Sequence, residues 1–103
     1  MNEFSPIDGI SGVWARNSEI FRDERGYFFE EIRKSSFLEE VPDFVQDSIS
    51  YSNRNVLRGM HIQHQQWQLV TLLSGNIIDV VFNLDKDSKE YKFSSSIFLE
   101  WVS

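Results

Sequence analysis

The stretch from Val56 to Val81, VLRGMHIQHQQWQLVTLLSGNIIDVV, holds both histidines of the chain, His61 and His64. It reads as short β segments with little that could form a long helix. Leu57 to Gln63 is one predicted strand. QLVTLL and NIIDVVFNL are two more, flanking Ser74-Gly75, which reads as a tight hairpin connection.

The same habit extends outward in both directions. Upstream, FVQDSISY (Phe44 to Tyr51) alternates, so one strand face would carry Phe44, Gln46, Ser48 and Ser50 and the other Val45, Asp47, Ile49 and Tyr51. The first face is the more polar, as a ligand-facing surface would be. Further back, SSFLEEVPDF offers Ser36 as a helix cap with Glu39 three residues on, but Pro42 limits any helix to about one turn. YFFEEI, from Tyr27 to Ile32, follows the turn-like DERG and is rich in aromatics, which predicts a strand. Downstream, YKFSSSIFL predicts another. Short strands at this spacing indicate an all-β sandwich or barrel with at most short helical turns.

A chain of 103 residues, 41% hydrophobic and 15% aromatic, is expected to form one domain with one core, spanning residues 1–103. No apolar run approaches the length of a membrane span. The segment MNEFSPIDGI lacks the basic region and apolar core of a signal peptide, and there is no cysteine, so a cytoplasmic location is the expectation. The formal net charge of −6 argues against a nucleic-acid partner, which needs clustered Lys and Arg to displace counterions. A small anionic ligand needs only a few placed cations. Arg25 and Arg58 are the candidates.

The histidines can be tested against metal binding. Jelly-roll barrels of the cupin type often hold a metal through two histidines one residue apart, a Glu a few residues later and a glycine turn after that. Here His61, Gln63, Gln68 and Gly75 occupy those places. The strand geometry suits a site, since positions i and i+2 share a face. The donor set does not, because neutral amides are poor ligands for a divalent transition metal beside imidazole and carboxylate. His64, three residues from His61, faces the other way or sits in the loop. No metal is expected. His61 is then either a hydrogen-bonded interior histidine or part of a polar cavity shared with Arg58, Gln63 and the polar face of FVQDSISY.

Three segments, in order, carry a family resemblance. LRGMHIQ, with QLV and GNIIDVVFNL after it, resembles the defining stretch of the dTDP-4-dehydrorhamnose 3,5-epimerase family. DERGYFFE fits that family's Asp-x-Arg-Gly-x-Phe-x-Glu pattern through Asp23, Arg25, Gly26, Phe28 and Glu30. FVQDSIS is similar to a third family segment. The resemblance implies a metal-free, cofactor-free cupin-like jelly roll, here a partial barrel, in a homodimer with shared strands. It implies a nucleotide-linked sugar as ligand: a dTDP-4-keto-6-deoxyhexose, inverted by proton abstraction next to the C4 ketone and reprotonation from the opposite face.

Carried over by position, His61 matches the general base, an imidazole suited to that work near neutral pH. Arg58 matches a substrate-binding arginine. Arg25, Phe28 and Glu30 match residues that hold the nucleotide, supplied by the partner subunit. Gln46 matches a substrate-contacting glutamine, and Ser48 stands where an Asn is usual. Gly26 and Gly59 read as backbone requirements. Gln68 stands where the family has a lysine suited to an enolate oxyanion, Ile49 replaces a polar residue, and Asn83 and Asp85 replace an Asp and an Arg. The connection after Gln63 is shorter than the family's. The family pattern continues past SSSIFLEWVS into a part that supplies a tyrosine acid and an Asp partner for the base. Two readings follow: an epimerase of surface-polysaccharide sugar synthesis, or a non-catalytic sugar-nucleotide-binding or assembly protein derived from one. Unpaired strand edges predict self-association.

Overall fold

The computed structural model describes residues 3–62 and 65–101. Among these residues every regular element longer than one turn is a strand, and the strands form three two-stranded antiparallel sheets. Strands β1 (Ser5–Pro6) and β2 (Trp14–Ala15) make the first, β3 (Ile20–Asp23) and β4 (Gly26–Phe29) the second, and β5 (Asn76–Phe82) and β6 (Ser94–Glu100) the third. The all-β expectation holds, and the arrangement agrees with part of a cupin-like jelly roll. Among the described residues the one helical piece is a 3₁₀ turn at Lys34–Ser36. It ends at the expected cap residue Ser36 rather than starting after it, with Arg33 in the cap position making no side-chain capping bond.

The β5–β6 pair is the longest ladder, from Asn76↔Glu100 to Phe82↔Ser94. It is extended at one end by the Trp101 N–H on the Gly75 carbonyl (2.9 Å) and at the other by the Asn83 N–H on the Phe93 carbonyl (2.9 Å) and the Lys92 N–H on the Asn83 carbonyl (2.7 Å). This corrects the predicted hairpin at Ser74-Gly75: β5 turns back through residues 84–91, and QLVTLL forms no strand. The reason lies in the polar run NLDKDSKE. Asn83 Oδ1 accepts the Asp85 N–H, Asp85 Oδ1 the Asp87 N–H and Ser88 Oγ the Glu90 N–H, so side chains supply the bonds that fold this loop.

Phe44 to Tyr51 and Leu57 to Ile62 are likewise outside any strand, which corrects two more predicted elements. Their backbone runs without a ladder, and their apolar side chains stand in solvent: Val45 is 96% exposed and Leu57 94%. Alternation specifies which side chains share a face, but a strand exists only where another segment meets its N–H and C=O groups.

Packing is carried by aromatic contacts more than by a sealed interior; Ile10 is the one buried apolar residue among the described residues. Trp14 stacks on Trp67 (5.9 Å, 18°), tying β2 to the segment that leads into β5. Phe37 bridges Phe4 (6.0 Å) and Phe44 (5.6 Å, edge-on). Trp101 sits against Tyr27 and Phe29, fastening the end of β6 to one face of the β3–β4 hairpin. Among the described residues no helix is long and apolar enough to cross a membrane.

Candidate functional site

The β3–β4 hairpin decides where three of the sequence-derived residues go. Its register pairs Ile20 with Phe29, Phe21 with Phe28, Arg22 with Tyr27 and Asp23 with Gly26, leaving Glu24 and Arg25 as a two-residue loop. Side chains alternate, so Ile20, Arg22, Tyr27 and Phe29 share the face that meets Trp101. Arg22 adds a cation–π contact over Tyr27 (5.7 Å) on that side. Phe21, Asp23 and Phe28 take the opposite face, which stays open: Phe21 is 53% and Phe28 63% exposed. The strand predicted over Tyr27 to Ile32 therefore begins one residue earlier and ends at Phe29. Gly26 opens it with φ of 139°, a value that L side chains rarely adopt, as its reading as a backbone requirement anticipated. Gly59 has the same property (φ 138°).

On the open face the rings of Phe21 and Phe28 lie 6.4 Å apart at 38°, a cross-strand aromatic pair. With Asp23, Arg25 and Gly26 they line a wide, shallow depression of about 470 Å³ at the loop end of the hairpin, which also reaches Arg22 and Tyr27 of the other face. A smaller one, about 130 Å³, lies between Phe21, Glu19, Glu30 and Arg33. Arg25, Phe28 and Glu30 are thus brought to adjoining depressions that share Phe21. Arg25 is held by Asp23: Oδ1 accepts the Arg25 backbone N–H (2.9 Å), and Oδ2 accepts from Nε (3.1 Å) and Nη2 (2.6 Å). The guanidinium and the Arg25 N–H together hold the Asp23 carboxyl below the usual carboxylate range. Glu30 pairs with Arg33 three residues on.

Sequence reading missed Phe21 and Arg16. Phe21 was detectable as the cross-strand partner of Phe28 once DERG was taken as a two-residue turn. Arg16 donates from Nη2 to the carbonyls of Glu30 (3.4 Å) and Glu31 and lies over the Phe4 ring (5.3 Å), fixing the exit of β4 from outside it in sequence. No local motif marks that role.

The remaining residues lie on the long connection between β4 and β5. Gln46 Nε2 donates to Ser48 Oγ (3.3 Å), so the two share a face as the alternation predicts, though no ladder supports them. Arg58 closes a small loop, with Nε on Ser52 Oγ (2.7 Å) and Nη2 on the Tyr51 carbonyl (3.0 Å). His61 and Gln68 are exposed. The interior-histidine reading of His61 is therefore corrected: the strand pairing that would turn it inward is absent. Arg58, which the polar-cavity reading groups with His61, spends its printed hydrogen bonds on Ser52 and Tyr51. Gln63 and His64 lie outside the described residues. Among those described, no three His, Asp or Glu side chains cluster as a metal site would require.

The chain is all-β, built of two-stranded antiparallel sheets, with Arg25, Asp23 and the Phe21–Phe28 pair at one hairpin. More particularly, the chain belongs to the dTDP-4-dehydrorhamnose 3,5-epimerase family, whose model matches residues 8–101. It is 44% identical to dTDP-4-dehydrorhamnose 3,5-epimerase of Methanothermobacter thermautotrophicus over 96 residues, 88% of this chain and 52% of that protein. The proteins of the same name from Salmonella typhimurium and Shigella flexneri are 39% and 38% identical, covering 80% and 90% of this chain and 48% and 51% of theirs. The chain thus spans about half the length of these relatives. No solved structure matches it.

Proposed function

We propose that this chain acts as a sugar-nucleotide epimerase of dTDP-rhamnose or related surface-polysaccharide sugar synthesis, with a dTDP-4-keto-6-deoxyhexose as substrate. The observation that carries the reading is the gathering of Arg25, Phe28 and Glu30 around one open aromatic face in a chain of the epimerase family. A phenyl face stacks a base, a guanidinium donates to phosphate or carbonyl oxygens, and a carboxylate accepts from an N–H or a hydroxyl.

In this reading the hairpin holds the nucleotide while His61 takes the proton next to the ketone. The His61 imidazole takes the α proton, the electron pair moves onto the ketone oxygen as an enolate, and reprotonation from the opposite face inverts the carbon. Arg58 meets a phosphate through the part of its guanidinium that Ser52 and Tyr51 leave open. Gln46, Ser48 and Gln68 contact the sugar. No metal or other cofactor takes part.

Residues 1–103 are taken as one cupin-like domain that works as a homodimer with shared strands. The exposed apolar side chains of the ladder-free connection, among them Val45, Ile49, Tyr51, Leu57 and Met60, support a second copy as their cover. Dimerisation would also carry the hairpin face of one copy toward the His61 of the other. A cytoplasmic setting belongs to the same reading and accords with a cysteine-free chain.

The test is incubation with the nucleotide-linked 4-keto-6-deoxy sugar in D₂O, following deuterium at C3 and C5 by NMR. Exchange that is lost in His61→Ala is the expected result. Exchange no faster than in that variant would overturn the enzymatic reading, and ligand binding retained in that case would identify a non-catalytic binder.

A further inference from the structure

Arg25 sits in a two-residue hairpin loop with its side chain 85% exposed, where a guanidinium on a flexible stem would ordinarily sample many rotamers. It does not hang free. The one carboxylate of Asp23 grips the residue twice, at the backbone through Oδ1 and at the fork through Oδ2. The bonds to Nε and Nη2 come from one edge of the guanidinium. They leave Nη1 and the outer N–H of Nη2 uncommitted, beside the depression floored by Phe21 and Phe28. Two donors at a fixed angle suit the oxygens of a phosphate or diphosphate.

We propose that Asp23 is a positioning residue for nucleotide binding: it orients the Arg25 guanidinium beside the depression that Phe21 and Phe28 line, so that a nucleoside diphosphate meets donors already in place. The proposal rests on the reading of this hairpin face as the nucleotide-holding surface. It has a signed consequence that simple charge does not share. By Coulomb's law alone, removing a carboxylate close to a bound diphosphate strengthens binding. Pre-organisation gives the opposite, because the loop and side chain must then be ordered by the ligand.

The experiment is calorimetric titration of the full chain with thymidine 5′-diphosphate, for the unaltered protein, Asp23→Asn, Arg25→Ala and the double variant. Asp23→Asn keeps an oxygen for the turn bond and loses the charged grip; Asp23→Ser is a second variant that retains a turn-forming hydroxyl. The Phe28 and Gly26 amide shifts report whether the hairpin persists. The expected result is affinity about tenfold lower for Asp23→Asn and Asp23→Ser, with no further loss when the same change is made in the Arg25→Ala background. The Arg25 Nε–H should exchange slowly with solvent in the unaltered protein and quickly in Asp23→Asn. Equal or tighter binding by Asp23→Asn overturns the proposal, and so does an equal loss in both backgrounds, which would mark a turn residue only. An unaltered protein that does not bind thymidine diphosphate while its Arg25 Nε–H is protected overturns the nucleotide reading itself, and the proposal with it.

Discussion

The ring of Trp101 lies 5.2 Å from that of Phe29, inclined at 53°, and this contact decides which face of the β3–β4 hairpin looks outward. Phe29 and Tyr27 are turned to the indole, so Phe28 between them must point away. Adjacent phenylalanines thereby acquire different tasks, one in packing and one at the open face.

Trp101→Ala should therefore destabilise the chain by about 2 kcal/mol, below the range for a fully buried tryptophan because the indole is only half-buried. Phe28→Ala should change stability by no more than about 0.5 kcal/mol, as an exposed substitution does. Urea unfolding followed by circular dichroism measures both. Equal losses would show that Phe28 packs as Phe29 does, and the division of faces would be wrong.

The turn at DERG and the strand after it were legible in the sequence because their information is local. The first strand, Ile20–Asp23, was not anticipated, and with it went the register and the place of Phe21. FVQDSISY and Leu57–Ile62 were legible only in part. Their alternation puts Gln46 and Ser48 on one face, as the structure has them, but the partner that would make each a strand is not encoded in the segment. The interior reading of His61 fails for the same reason: inward or outward is a property of the ladder, and none is formed there. At Ser74-Gly75 a plausible turn competed with a longer loop. The longer loop prevails because NLDKDSKE carries its own side-chain acceptors for the backbone N–H groups.

The pH dependence of stability has two edges, both set by exposed ion pairs. Arg25 lowers the carboxyl of Asp23, and Lys34 lowers that of Asp43, each from 3.8. The folded chain then binds fewer protons than the unfolded one in acid, so this stabilisation is complete above the unfolded value and lost as pH falls through the lowered ones. Asp43, 2.8 Å away, raises Lys34 above 10.5; that contribution is complete below 10.5 and lost as pH climbs through the raised value. The urea midpoint should be flat from about pH 5 to 9 and decline outside it, modestly, because these groups are exposed and screened by salt. Lys34→Met should flatten the alkaline edge and shallow the acid one. Profiles that superimpose would mean the Lys34–Asp43 pair contributes nothing to folding.

Gln68 is the position at which the proposed chemistry can be strengthened. An enolate places a full negative charge on the former ketone oxygen, and a neutral amide offers it a hydrogen bond where the family pattern has an ammonium. Gln68 is exposed, so a longer charged side chain fits without repacking and stability should stay within about 0.5 kcal/mol of the original. Gln68→Lys should raise the rate of deuterium incorporation into the keto sugar by about tenfold, less than a fully enclosed oxyanion donor contributes because water shares the site. Gln68→Met, which has neither donor nor charge, should lower it. The increase should also require His61, vanishing in the Gln68→Lys/His61→Ala double variant, since a stabilised enolate still needs a base to form it. An unchanged rate in Gln68→Lys would mean that another group already meets the oxyanion, and the search for it would turn to Arg58 and to the partner subunit.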